Sequence, residues 1–311
     1  MRAPTGEQHV LSRASGSHQT RAIITEVAAS LRELVIDGTA VTQPYPESSR
    51  PPFGDGIVLV PWPNRVEDGR WLLDGEVQQL DVTEPDRNSA IHGLLRNAPY
   101  TVAERSDDAV TLAATVFPQH GYPFLLDTTV RYELLADGLR VTHTVTNHSD
   151  AAAPVALGVH PFFRIGEVPT DDLVLTLSAS SRFETDARLN PVGELATAGT
   201  RFDLSEGVPV RELQLDDAFG GLTPDADGTF SCSLTATDGR SLRVWQESDW
   251  RWVQVFTTRE FPTDGGPATA IAIEPMTAPP NAFNSGLGVR WLQPGESWST
   301  SWGVTLSGGA A

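Results

Sequence analysis

The chain has 311 residues, 40% of them hydrophobic and 20% charged, which sets it among globular proteins with a core. A formal net charge of −18 repels phosphate backbones and anionic bilayer surfaces, so neither nucleic acid nor membrane is an expected partner. The single cysteine, Cys232, leaves no disulfide framework or multi-cysteine zinc site, and the absence of any lysine removes Schiff-base and P-loop chemistry.

Residues 1–20 are polar and aperiodic, without the apolar run of a secretory signal, and read as a loose N-terminal tail on a cytoplasmic protein. Residues 21–308 then read as one domain, since no linker, repeat or shift in composition divides them. TEVAASLREL is open between a helix and a strand edge. From there the signal is β. Asp-Gly pairs at 37–38, 68–69, 74–75, 137–138 and 238–239 stand between alternating apolar segments, the pattern of hairpins. In DTTVRYELLADGLRVTHTVTN, Val130, Tyr132 and Leu134 share one face before the turn, and Leu139, Val141 and Val145 share one after it. His143 is in phase with the latter and reads as a core or pocket-lining residue. His9, His18, His120 and His148 read as tail or loop positions. With 27 glycines and 23 prolines between short strands, the fold class is all-β, an antiparallel sandwich or barrel.

Four stretches set polar residues into apolar surroundings. In GIVLVPWPNRVEDGRW an apolar strand runs into Pro61-Trp62-Pro63, and the prolines restrict the backbone that presents Asn64 and Arg65. Arg65 is either a turn arginine on the surface or a fixed fork of donors for oxygen atoms. In NSAIHGLLRN, His92 precedes Gly93, which allows a close backbone approach; a packed structural histidine fits the same pattern. In ALGVHPFFRIG and ATAIAIEPMTAPPNAFN the motif is shared: an apolar strand reaches a titratable residue followed by proline, His160-Pro161 and Glu274-Pro275. A glutamate there is costly to bury unless paired or used, and burial would raise its pKa towards the range of a general base. Imidazole and carboxylate converging from two strand ends would make an acid–base pair. Trp62, Trp71, Tyr122, Phe162, Phe163 and Phe283 lie nearby, either packed in the core or available to stack on a sugar face. No His-x-His or His-Glu-x-x-His spacing suggests a metal, and no Gly-x-Ser-x-Gly elbow or dinucleotide loop is present.

Taken in order, L-x-P-W-P-N-R-x-x-D-G-R-W at 59–71, A-I-H-G at 90–93, G-V-H-P-F-F at 158–163, L-D-D-A-F at 215–219 and E-P-x-T-A-P-P-N-A-F-N at 274–284 resemble the aldose 1-epimerase, or galactose mutarotase-like, family. The resemblance runs from about residue 25 to 305, and its Pro-Trp-Pro-Asn-Arg form is similar to a bacterial branch of open sugar preference. It implies a large single-domain antiparallel β-sandwich that interconverts sugar anomers without metal or cofactor. It matches Glu274 to the general base, His160 to the general acid and His92 to a second histidine near the ring oxygen. Arg65 and Asp216 match substrate-binding residues, with Asp217 the alternative to Asp216, and Asn64 and Phe283 complete the expected set. The implied partner is a monosaccharide, bound by a monomer or homodimer. A hexose 6-phosphate substrate, with Arg65, Arg70 and Arg96 as candidate phosphate ligands, and a non-catalytic sugar-binding sandwich are the alternatives.

Overall fold

In the computed structural model, which describes residues 2–308, two large antiparallel sheets face each other. The first has nine strands, and its centre is the hairpin Leu126–Leu134 and Gly138–Asn147 beside Ser297–Ser307. Alternation decides which way each strand faces. Val130, Tyr132 and Leu134 are buried, as are Leu139, Val141, His143 and Val145, while the residues that alternate with them are more open. The second sheet has eight strands, with Asp216–Leu222, Trp252–Thr263 and Gly266–Met276 at its centre. Its inner face, including Phe219, Val253, Val255, Ile271 and Ile273, joins Val130, Tyr132 and Val141 of the first sheet in one continuous core. The architecture is therefore the antiparallel sandwich expected from the sequence. Among the described residues the only α-helix is Ala282–Ser285, and no helix is long and apolar enough to cross a membrane.

The N-terminus differs from the expectation. The expected tail at 1–20 is, over the residues the structure describes, largely ordered sheet: Gln8–Ser15 pairs in register with His18–Thr25, opening a four-stranded sheet with Leu31–Ile36 and Thr39–Ala40. The strand buries only His9 and Leu11, so its apolar period is too sparse to read, and the turn signal is one glycine, Gly16 at φ +63°. His9 is consequently buried rather than part of a tail. TEVAASLREL is neither helix nor one strand: Ala28 and Ala29 at positive φ turn the chain between two strands. Four of the five Asp-Gly pairs close hairpins. Asp68-Gly69 instead joins Arg65–Glu67 and Arg70–Leu73, which pair with Ser89–Ile91 and Glu76–Gln79 respectively.

Candidate active site

The outer face of the eight-stranded sheet carries the polar residues. Strand Gly266–Met276 alternates Ile271 and Ile273 into the sandwich with Ala272 and Glu274 away from it. Glu274 does not end this strand, as the sequence suggested; pairing continues through Pro275 to Met276. The partner on one side is a broken strand. Gly158 pairs with Met276 and Phe162 with Ala272, a register that sets His160 opposite Glu274. Between those two pairs lie Pro161 and Pro275, which cannot donate to the ladder, so the gap falls where the two titratable side chains meet. His160 Nε2 stands 3.3 Å from a Glu274 carboxylate oxygen, and the side chains are only 8% and 2% exposed.

Burial governs their protonation. It pushes the Glu274 carboxyl well above the usual range, with the nearby Asp216 charge adding to the rise and Arg65 opposing it. Burial likewise lowers His160, to about 4, with Arg65 contributing in the same direction. The backbone around His160 is held by one segment: Gly56 donates to the His160 carbonyl, His160 donates to the Ile57 carbonyl, and the Asp55 carboxylate accepts from the Phe162 amide at 3.0 Å. Asp55 is itself buried, and its pKa is raised by that burial. Nothing in the sequence marks it, because its role depends on a neighbour 107 residues away.

On the other side of Glu274 sits Gln254, its cross-strand partner. Gln254 donates to Asp216 at 2.7 Å and accepts from Asn64 at 3.3 Å, forming a chain Asn64–Gln254–Asp216 alongside the carboxylate. Sequence reasoning missed Gln254. The signal available was a lone amide inside the apolar alternation of WVQVF. Asp216 pairs opposite Phe256 and so shares the face of Gln254 and Glu274. Asp217 pairs opposite Val255, a core residue, and is engaged by Arg182 at 3.2 Å. The geometry thus favours Asp216 over Asp217 as the residue on the site face.

His92 reaches the cluster from a separate loop. Its amide donates to the Asn64 carbonyl, and its ring centroid lies 5.3 Å from that of His160, nearly perpendicular. His92 adopts φ +65°, and Gly93 follows at +72°; a Cβ on Gly93 would lie 2.1 Å from the Val60 carbonyl oxygen, so glycine is required. Burial, reinforced by His160, Arg65 and Arg96, holds the His92 pKa well below its ordinary value, and its Nδ1 has no partner. Arg65 lies beside the cluster with its Nε and Nη2 occupied by Glu84 at 2.7 and 2.9 Å, leaving Nη1 free of that pair. Asn281, in the last of the sequence motifs, supports this strand by donating to the Arg65 carbonyl.

Phe283 is not brought to the cluster. Its ring packs against Trp62, Trp71 and Tyr122 in the core, which explains its motif position by packing rather than by stacking on a ligand. Phe163 is also core, whereas Phe162 stays on the outer face beside His160 with Phe256 and Phe261. His143 accepts from the Trp302 indole and is a core residue. A cavity of about 1520 Å³ opens beyond His92, lined also by Phe53, Tyr45 and Arg96. Glu274 and His160 do not line it; His92 is the residue common to the cavity and the cluster.

The profile of a family described as Aldose 1-epimerase matches residues 11–305. The uncharacterised Escherichia coli protein YihR is 31% identical over 287 residues, covering 92% of this chain and 89% of that protein. Among solved structures, the GalM/aldose epimerase homologue of C. elegans superposes with a TM-score of 0.83 at 18% identity, over 97% of this chain and 99% of that one. A galactose mutarotase-like protein of Clostridium acetobutylicum gives 0.80 at 21% identity with the same coverage. At these identities the structural likeness establishes the fold alone.

Proposed function

The chain belongs to the aldose 1-epimerase family, and from that premise we propose that it interconverts the α and β anomers of an aldohexose by acid–base ring opening and reclosure. The observation that carries the reading is the buried His160–Glu274 pair, 3.3 Å apart, opposite one another at a break in the ladder. In the proposed reaction Glu274 takes the proton from the anomeric hydroxyl as C1–O1 becomes a carbonyl. The C1–O5 bond breaks, and O5 receives a proton from His160. Rotation about C1–C2 turns the other carbonyl face to the O5 hydroxyl, which adds back while both protons return. No atom or electron is gained or lost, so no metal or cofactor is called for.

The electrostatics support this use of the pair. One proton is needed, and it can reside on Glu274 or on His160 without change of net charge. Desolvation favours the neutral form of both groups. Arg65 favours the carboxylate and disfavours the imidazolium, which keeps the base ionised and makes a proton on His160 easier to give up. His92, kept neutral by burial, is suited to hydrogen-bond the ring oxygen rather than to compete for the proton. Arg65 and Asp216 provide donors and acceptors for the sugar hydroxyls, and Asn64 and Gln254 hold Asp216 in place.

The test is anomer exchange followed by polarimetry or NMR. Positioned acid and base groups each contribute about 10²- to 10⁴-fold, so Glu274→Gln and His160→Asn should each slow exchange by about 10²-fold or more. Because the two act as one relay, the double variant should be only slightly slower than the poorer single one. A His160→Asn protein that is destabilised yet exchanges anomers at the wild-type rate per folded molecule would reduce His160 to a core residue.

A further inference from the structure

The cavity beyond His92 contains charge that the proposed reaction does not use. Arg96, four residues after His92, is half-buried and lines it. Among the described residues Arg96 has no carboxylate within 4 Å, and its only hydrogen bond is to the Thr83 carbonyl at 3.3 Å. Glu84, the acid nearest to hand, is occupied by Arg65 at 2.7 Å and Arg87 at 3.3 Å. Arg50 lines the same cavity and also lacks a carboxylate partner. Arg164 has only the largely exposed Glu167, at 3.6 Å, and that acid and Asp264 are the carboxylates of the lining. In a chain of net charge −18, a desolvated guanidinium left without an acid is costly unless something else neutralises it.

We propose that this cavity is a subsite for a negatively charged group on C6 of the sugar, with Arg96 as its principal ligand. The inference rests on the aldose 1-epimerase reading, because that reading fixes the direction of the sugar. The ring oxygen faces His160 and His92, it is bonded to C5, and C5 carries C6. The exocyclic substituent therefore leaves the ring on the side of the histidines, and His92 is the shared wall between them and the cavity. A guanidinium at that wall offers paired N–H donors matched to the oxygens of a phosphate, sulfonate or carboxylate. Neutral hexoses would leave it unpaired.

The experiment compares glucose with glucose 6-phosphate, its 6-deoxy-6-sulfonate analogue and glucuronate, which separates charge from oxyanion shape. Both kcat/KM for anomer exchange and Kd by calorimetry are measured for the wild type, Arg96→Gln and the exposed control Arg251→Gln. Hydrogen bonds to charged groups predict a preference of about 10- to 100-fold for at least one charged sugar over glucose in Kd. That ratio should collapse in Arg96→Gln and persist in Arg251→Gln. If all three charged sugars bind no tighter than glucose, or if the preference survives in Arg96→Gln, the subsite is wrong. Absence of anomer exchange with every sugar would instead overturn the epimerase reading, while the Kd comparison still decides the subsite.

Discussion

At the scale of single residues, the protonation of one buried pair sets the expected pH behaviour. His160 is lowered to about 4 and Glu274 is raised well above its ordinary range, so between those two limits the pair holds one proton. A second proton binds only as pH falls towards about 4, and it removes the base. The single proton leaves only at a pH well above that of an ordinary carboxylate, and its loss removes the acid. The pH profile of kcat/KM should therefore have its acid limb near pH 4 rather than in the usual histidine range of about 6–7. In Glu274→Gln the proton must be carried by His160 alone, so the residual rate should rise as pH falls. An acid limb at pH 6–7 in the wild type would contradict the desolvation argument. The pairing itself was legible in the chain, because His-Pro and Glu-Pro at the ends of apolar runs mark a place where a ladder must break. Gln254 and Asp55 were not legible, since an amide in a strand and an aspartate in a Gly-Asp-Gly turn acquire their roles only from partners brought by the fold. Phe283 was misleading for a related reason: its motif position reflects aromatic packing, and aromatic residues in turns look alike in sequence whichever way they face.

Among the elements, the loop that delivers His92 concentrates backbone strain. Asn64 at φ +52°, His92 at +65° and Gly93 at +72° lie together, and the Gly93 backbone bridges to Val60, just past the strand Val58–Leu59. Non-glycine residues at positive φ cost about 1–3 kcal/mol each, and such strain persists where the surroundings fix it. Two substitutions separate conformation from contact. Gly16→Ala, in the N-terminal turn at φ +63° with nothing within 4 Å of the added Cβ, should cost only the backbone strain, about 1 kcal/mol. Gly93→Ala adds a Cβ 2.1 Å from the Val60 carbonyl oxygen, which the backbone must move to relieve. It should cost about 3 kcal/mol or more in denaturant unfolding and slow anomer exchange in the molecules that remain folded, because His92 moves with the loop. Equal, small losses for the two variants would show that the loop yields freely and that His92 is not held by it. The sequence announced this element through His-Gly, but not its contact with Val60, which is long-range.

For the molecule as a whole, the N-terminal sheet ties the sandwich to the candidate site. Leu11 is fully buried in the same core as Ala22, Ile24, Leu34, Val130 and Val141. Outside that core, the Ser12 amide donates to the Asp107 carbonyl and Arg13 pairs with Asp108 at 2.7 Å, fastening the first strand to a turn of the nine-stranded sheet. From the turn between His18–Thr25 and Leu31–Ile36, the Ala28 carbonyl accepts from the Val58 amide, and Val58–Leu59 pairs with Gly158–Val159, the strand leading into His160. Thr5 and Ala28 also line the cavity that His92 opens on. A loose tail would tolerate any change at Leu11, whereas a core strand would not. Leu11→Ala should cost about 2–5 kcal/mol, the range for removing a fully buried leucine side chain. The neighbouring Val10→Ala, on the open face of the same strand, should fall within about 0.5 kcal/mol of wild type. Urea unfolding of the two variants at pH 7 reads both numbers directly. Deletion of residues 2–15 should then reduce anomer exchange as well as stability, since it strips the pairing edge from His18–Thr25 and removes Thr5 from the cavity wall. Wild-type stability in Leu11→Ala, together with full activity in the deletion, would mean that the first strand is dispensable and that the sandwich alone positions the site.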